Sequence, residues 1–498
     1  MEQKKPGIMG LYKGLAVGAS LTGVIAFPLA GMGREAPKST PPNIILIFTD
    51  GLGYGDLSCY GASQYKTPHL DRMAAEGVRF TSFLSAQAVC SASRAGLLTG
   101  CYPNRVGISG ALFPDSRTGL DPSEETIAEL LKQRNYKTAA IGKWHLGHLQ
   151  RFLPLQQGFD EYLGIPYSND MWPVNYDGTP FSEQKRDRGF AFPPLPLMEG
   201  NDKVEEFHTL EDQARITTLY TERAVRFIDQ NRKNPFFIYL AHSMPHVPLA
   251  VSSKFKGRSE QGVYGDVIME IDWSVGEIMK ALKKNNLEKN TLVIFTSDNG
   301  PWMNFGNHAG SNGGLREGKG SSYEGGQRVP CVMTWPGHIP RGYICNKLAS
   351  TIDILPTVAA IAKAPLPEKK IDGVNILPLL LGDENSHPRE SFLYFYRRNS
   401  LEAVRKGEWK LVFAHPGRTY IGFKPGADGF PGGTNENFSH EEALYDLRRD
   451  PGERFDVKAY YPGVVAELRE LADAARLDLG DDLQQVPGNN RRMPVDVP

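Results

Sequence analysis

Asn43 to Asp56 reads N-I-I-L-I-F-T-D-G-L-G-Y-G-D, and its first seven residues decide the fold. Ile44 to Phe48 is an unbroken apolar run without polar alternation. That is the pattern of a strand covered on both faces, as in parallel sheets. The run stops abruptly at Asp50 and a glycine-rich turn. Three later segments repeat the layout. K-T-A-A-I-G (137–142) leads into Lys143 and His145, P-F-F-I-Y-L-A (235–241) into His242 and His246, and T-L-V-I-F-T-S (291–297) into Asp298 and Asn299. In open parallel sheets ligands bind beyond the carboxyl ends of the strands, so these four ends are expected to converge on one crevice.

Helices are expected between the strands. Thr67 and Pro68 read as the cap and first residue of a helix closed by Gly77, and a second runs from Thr126 to Arg134. Arg215 to Arg232 and Val263 to Lys284 carry apolar residues at helical spacing. Gly164 to His208 is rich in proline and aromatics, shows no periodicity, and reads as a long loop walling a substrate cleft. The fold expected is α/β: a large mixed, mostly parallel sheet sandwiched by helices. Beyond a composition change at 363–390, S-F-L-Y-F-Y, E-A-V-R and W-K-L-V-F alternate like antiparallel strands. Val464 to Arg476 reads as a terminal helix, and the residues from Leu483 as irregular. This predicts a catalytic domain over 43–385 and a smaller C-terminal α+β subdomain with an antiparallel sheet over 386–498.

Charge and cysteine use narrow the function. Across 498 residues, 56 Lys and Arg oppose 57 Asp and Glu, without the basic excess of a nucleic-acid binder. Five cysteines with no C-x-x-C pair argue against a disulfide framework and a thiolate zinc site. Lys4, Lys5 and Lys13 precede an uncharged stretch from Gly14 to Gly33. That reads as a signal peptide over 1–30 followed by a linker over 31–42, an uncleaved membrane anchor being the alternative. The destination is periplasmic or extracellular.

The chemistry centres on Val89 to Gly100, V-C-S-A-S-R-A-G-L-L-T-G. Alone, Cys90 reads as a small buried apolar residue. Set among the strand ends, it gains a context. Asp50, Asp298 and Asn299 are hard oxygen donors, better suited to calcium or magnesium than to zinc. Arg94, Lys143, Lys319, His145 and His246 are cations or proton carriers, and the glycine-dense 300–326 segment delivers His308, Arg316 and Lys319. Fixed cations around a divalent metal stabilise an oxyanion ester, a sulfate or a phosphate. Residue 90, at a helix mouth that favours anions, is placed to be the nucleophile.

C-S-A-S-R-A-G-L-L-T-G resembles the signature of the type I sulfatases, members of the alkaline phosphatase superfamily. The likeness continues through I-F-T-D-G-L-G-Y-G-D, G-K-W-H-L-G, I-P-Y-S-N-D, F-I-Y-L-A-H-S-M-P-H, T-S-D-N-G, G-K-G-S-S-Y-E-G-G and L-Y-D-L-R-R-D-P-G-E, in the family's order. It covers nearly everything from Asn43 to about residue 480 and is nearest to the arylsulfatase A and N-acetylgalactosamine-6-sulfatase branch. The resemblance implies that a maturase oxidises Cys90 to formylglycine (3-oxoalanine), whose hydrate attacks sulfur. Asp50, Asp298, Asn299 and the modified residue 90 match metal ligands, the metal being Ca2+ with Mg2+ as alternative, and Asp298 also matches an acceptor of the attacking hydroxyl's proton. Arg94 and Lys143 match residues that hold the hydrate. Lys319 and His246 match those that bind sulfate and protonate the leaving alcohol, His145 the base that releases sulfate, and Ser168 a sulfate-contacting serine. His308 is expected to touch substrate. The chain departs from the family at Gly51, where a second aspartate is usual; a water, Asp56 or a weaker site is the expected outcome. The function expected is hydrolysis of sulfate esters, of a sulfated carbohydrate or aryl sulfate. The alternatives are a phosphodiesterase or phosphonate hydrolase of the same superfamily, or a sulfated-glycan binding protein without turnover.

Overall fold

The computed structural model describes residues 41–182 and 191–496; the expected signal peptide and residues 31–40 of the expected linker lie outside the described residues. Asn43–Thr49 is a strand buried over its whole length, lying between Thr291–Ser297 and Phe236–Ala241 and parallel to both. Lys137–Gly142 and Glu161–Gly164 continue the parallel core. On the other flank Cys331–Thr334 runs antiparallel to Thr291–Ser297, followed by Val78–Phe80 and Tyr343–Cys345. The ten-stranded sheet is mixed and mostly parallel at its centre, as the apolar runs predict.

Both faces of the central strand are covered. Ile45 and Ile47 enter a core with Tyr220 and Phe227 of the helix Ile216–Asn231 and Ile271 and Ile278 of the helix Val263–Lys284. Ile44, Leu46 and Phe48 enter a second core with Leu97 and Leu98 of Cys90–Thr99 and Leu130 of Ile127–Lys132. At about 1.5–3 kcal/mol per buried aliphatic side chain, this two-sided burial is what a run without polar alternation selects.

Local signals set the helix starts unevenly. Thr126 forms a capping box with Glu129, its hydroxyl accepting from Glu129 N while Glu129 Oε2 accepts from Thr126 N. Thr67 does not cap the helix Pro68–Glu76. Its hydroxyl accepts from Ser58 N, and the helix start is held by Asp272, whose carboxylate accepts from His69 N and Leu70 N.

The expected loop from Gly164 to His208 is corrected in part. Leu195–Glu199 and Asp202–Phe207 form a hairpin that extends the sheet at its edge. Asp202–Phe207 is mostly exposed and charged, so it lacks the alternation by which half-buried strands announce themselves. The Gly200-Asn201 turn, with Gly200 at φ 62°, is the signal that reveals it. The chain end is likewise not wholly irregular, since Val495–Asp496 pairs with Thr118–Gly119.

The C-terminal part builds a separate four-stranded antiparallel sheet in the order Ser391–Tyr396, Ser400–Lys406, Trp409–Val412, Ala443–Asp446. The helix Pro462–Leu479 packs Leu468, Ala472 and Leu479 into its core, against Leu401 and Leu411. Among the described residues, no helix is long and apolar enough to cross a membrane.

Candidate active site

Register places the site. Thr49 lies opposite Ser297 and Gly142 opposite Ala241, so the chain leaves adjacent strands side by side at Asp50 and Asp298, and at Lys143 and His242. Asp50, Arg94, Lys143, Asp298 and Asn299 are completely buried. The helix Cys90–Thr99 arrives with Cys90 at its first position, after an extended Val89, and ends at Gly100 in the left-handed region at φ 68°. Gly96 lets it pack closely against the loop that precedes it: a Cβ there would meet Ala86 Cβ at 2.5 Å.

These elements bring most of the expected residues together. Cys90 Sγ lies 3.4 Å from Asp50 Oδ1, and Lys319 Nζ donates to it at 3.2 Å. Lys143 Nζ donates to Asp50 Oδ2 and to Ser168 Oγ, the latter at 2.9 Å. Arg94 donates from Nε and Nη2 to Asp298 Oδ2 at 3.2 and 2.9 Å, and its Nη2 is 3.4 Å from Asp50 Oδ2. Asp298 Oδ1 accepts from Gly51 N at 3.0 Å. His246 Nδ1 is 2.6 Å from Val247 O, so in the neutral ring Nδ1 carries the hydrogen and Nε2 is left as the acceptor. Asp50, Cys90 and His246 present ligand atoms within 4.8 Å of one another.

Electrostatics differentiates the acids. Burial alone would raise Asp50, but Lys143, His246, Arg94 and Lys319 outweigh it and hold the carboxyl well below its usual range. Asp298 is raised, by burial and by the charge of Asp50, against Arg94. Burial, then Asp50, pushes the Cys90 thiol up to about 11, so the unmodified side chain is a protonated thiol at neutral pH and a poor nucleophile. Burial and Lys319 lower His246 to about 4, and burial with Lys143 and Arg94 lowers His145. Both rings are neutral in this setting.

A small cleft opens over the cluster, lined by Gly51, His246, Trp302, His308 and Lys319 among others. Trp302 lies tilted against His246 with ring centroids 5.5 Å apart, and Lys319 Nζ lies 4.9 Å from its ring centre. His145 stands in the left-handed region at φ 60°, with Nε2 at 2.8 Å from Leu112 O and a buried Nδ1 that finds no hydrogen-bond partner.

Three residues near the expected set go elsewhere. His242 is buried against Ser274 Oγ. Arg316 donates to Tyr445 Oη and Glu453 O beneath the small sheet. Asp56 does not reach the cluster: its carboxylate accepts from Gly53 N, Tyr264 Oη and Ser311 N, tying two loops together. It therefore does not replace the carboxylate missing at Gly51. Conversely, Asp170 was not singled out by the sequence. It is buried, and burial is outweighed by His246, Ser168, Lys143 and Lys319, which hold its carboxyl below the usual range. Its signal was its place in I-P-Y-S-N-D, two residues after Ser168.

The donor set fits a divalent cation. Among the described residues Asn299 Oδ1 is buried without a hydrogen-bond partner while its Nδ2 is spent on Gly300 O, leaving a hard oxygen on the residue that follows Asp298.

Comparison with known proteins places the chain in a family. The sulfatase family profile matches residues 42–364, the C-terminal region of aryl-sulfatase matches 387–496, and the C-terminal region of N-sulphoglucosamine sulphohydrolase matches 318–412. Arylsulfatase A of Homo sapiens is 42% identical over 451 residues, covering 88% of this chain and 87% of its own. N-acetylgalactosamine-6-sulfatase of Canis lupus familiaris is 38% identical, covering 87% and 84%. A solved structure from the metabolism of multiple glycosaminoglycans by Bacteroides thetaiotaomicron aligns with a TM-score of 0.73 at 32% identity, covering 88% of this chain and all of its own.

Proposed function

The chain belongs to the sulfatase family and is a sulfuric ester hydrolase, and from that premise we propose that it is exported and desulfates a carbohydrate. It does so with formylglycine made from Cys90 by a maturase and a divalent cation, calcium or magnesium, held by Asp50, Asp298 and Asn299. The observation that carries this reading is the position of Cys90 Sγ at a helix mouth, between Asp50 Oδ1 and Lys319 Nζ. Once formed and bound, the aldehyde hydrate would supply the attacking hydroxyl and a second hydroxyl for release of sulfate, and the cation would supply charge stabilisation.

The chain's own groups do the rest. Arg94 and Lys143 flank residue 90 and hold its hydroxyls, and Asp298, the less acidic carboxylate, accepts the attacking hydroxyl's proton. Lys319 and His246, each against Trp302 at the cleft, hold the sulfate and deliver a proton to the leaving alcohol, Lys319 as the standing cation and His246 once a bound sulfate's charge has drawn a proton to its Nε2. Ser168 contacts the sulfate through its hydroxyl, already ordered by Lys143. His145, kept neutral by its surroundings, serves as the base for release. His308 and Trp302 wall the side where the organic group sits. The catalytic work belongs to residues 43–385, with 386–498 as a supporting subdomain.

Gly51 sets the strength of the metal site. Its φ of 74° disfavours a side chain, yet a Cβ would meet only Asn299 Nδ2 at 3.7 Å and Gly300 O at 4.0 Å. An added carboxylate has room there. Mass spectrometry of the Cys90 peptide from native material tests the proposal, and conversion of the thiol to an aldehyde is the expected result. An unmodified thiol in protein that turns over sulfate esters would overturn it. A panel of sulfate and phosphate esters, extended to sulfated glycosaminoglycan and algal fragments, fixes the substrate class.

A further inference from the structure

A second cavity of about 840 Å³ opens beneath the small sheet and shares no lining residue with the cleft over Cys90. Its volume is that of a ligand pocket. Six Lys and Arg side chains line it against three Glu, a local positive excess in a chain whose net charge is -1.

Not all of this charge is free. Arg328 is spent on Glu324 and Arg389 on Asp353. Others keep unspent capacity. Among the described residues Lys347 has no carboxylate partner, its Nζ resting 3.3 Å from His387 Nε2. Arg405, buried, donates from Nε to Gly407 O and from Nη2 to Ser82 Oγ, while its buried Nη1 finds no hydrogen-bond acceptor among the described residues and stands 3.6 Å from Glu324 Oε2. Among the described residues Lys406 pairs with Glu467 and Arg448 with Glu408, both partly exposed and displaceable by an anion at little cost, while Arg448 also reaches the buried Asp446. The lining is not all charge. Trp409, packed on Tyr461 with ring centroids 4.7 Å apart, adds an aromatic surface, and Val464 and Leu468 an apolar one.

We infer that this cavity is a second binding site, for a sulfated saccharide segment. The sulfates meet Lys347, His387, Arg405 and Arg448, and a sugar ring packs on Trp409. It would hold a chain whose other end is worked on at Cys90, or keep the enzyme on a polyanionic matrix. The inference rests on the reading of the substrate as a sulfated carbohydrate. The same chemistry would also admit free sulfate, and the test separates the two.

The full chain carrying His246→Ala and Lys319→Ala, which removes sulfate capture at the catalytic cleft, is titrated calorimetrically with a size-defined dextran sulfate octasaccharide, neutral dextran of the same length, and sodium sulfate. Binding of the sulfated octasaccharide is expected, weakened at least about tenfold by adding Lys347→Ala and Arg448→Ala, two surface changes that leave folding intact. In the otherwise native protein the same two changes leave turnover of a small aryl sulfate unchanged. Affinity unmoved by them, equal binding of neutral dextran, or sodium sulfate binding as tightly as the octasaccharide overturns the inference. Failure of the catalytic reading looks different: matured protein turns over no sulfate ester, while octasaccharide binding still responds to Lys347 and Arg448.

Discussion

Two buried clusters hold the same charges and do different things. The cluster at the strand ends has two carboxylates, Asp50 and Asp298, and three cations, Arg94, Lys143 and Lys319. The cluster under the small sheet has Glu324 and Glu453 with Arg328, Arg405 and Lys410. In the second, most of the groups satisfy one another: Glu324 accepts from Tyr394 Oη, Lys410 Nζ and Arg328 Nε, Glu453 accepts from Glu324 N, and Lys410 also donates to Ser322 O, while Arg405 Nη1, without a hydrogen-bond acceptor among the described residues, still stands 3.6 Å from Glu324 Oε2. In the first, Lys319 spends itself on a thiol, Asn299 Oδ1 has no partner, and a cleft stands on one side. Charge count does not tell function from structure; unspent hydrogen-bonding capacity facing a cleft does.

The comparison can be broken by substitution. Cys90→Ala is expected to lower turnover of an aryl sulfate about 10^4-fold or more, because the nucleophile goes, with a melting temperature close to that of the parent. A large loss of stability would mean that the strand-end cluster holds the fold together as the other does. Glu324→Gln should do the opposite, costing about 3–5 kcal/mol in urea unfolding at neutral pH by stranding Arg328 and Arg405 and leaving Lys410 with Glu453 alone.

That cost has a pH signature. Arg328, Lys410 and Arg405 overcome burial and hold Glu324 well below its ordinary range. A depressed carboxyl contributes stability that is present above the ordinary glutamate value and lost as pH falls toward the folded one. The gap between parent and Glu324→Gln should therefore close progressively below about pH 4.

Lys319→Ala should reduce kcat/KM about 100-fold, the scale of one lost oxyanion contact, with stability unchanged. A drop in stability with normal kinetics would reassign Lys319 to the structural class. The smallest effect is expected from Gly51→Asp, a calcium affinity raised about tenfold in titration of the metal-stripped chain, since one carboxylate joins the hard-oxygen set. Equal affinity of the two proteins would show that the existing oxygens suffice.

Much of this was legible in the residues. The apolar runs ending at Asp50, Lys143, His242 and Asp298 revealed the central sheet, because two-sided burial leaves a pattern that no half-exposed strand has. The same runs gave the convergence of their ends. The edge strand Asp202–Phe207 was not legible, since one exposed face and a charged composition erase the alternation. Nor was the fate of Asp56, whose commitment to Tyr264 and Ser311 spans more than two hundred residues and exists only once the loops meet. Thr67 carried a cap signal that Asp272, remote in sequence, made redundant. Local chemistry announces elements; partners brought in from far along the chain decide what individual polar groups do.

The segment that carries Lys319 is clasped by the small sheet and its loops. Glu317 accepts from Thr419 Oγ1 and Tyr420 N, Lys319 O accepts from Tyr420 Oη and Arg418 Nη1, and Ser322 Oγ donates to Glu402. The two parts are thus not modular. Exchanging the C-terminal portion between relatives to move specificity would re-aim the lysine unless Glu402, Arg418, Thr419 and Tyr420 were kept.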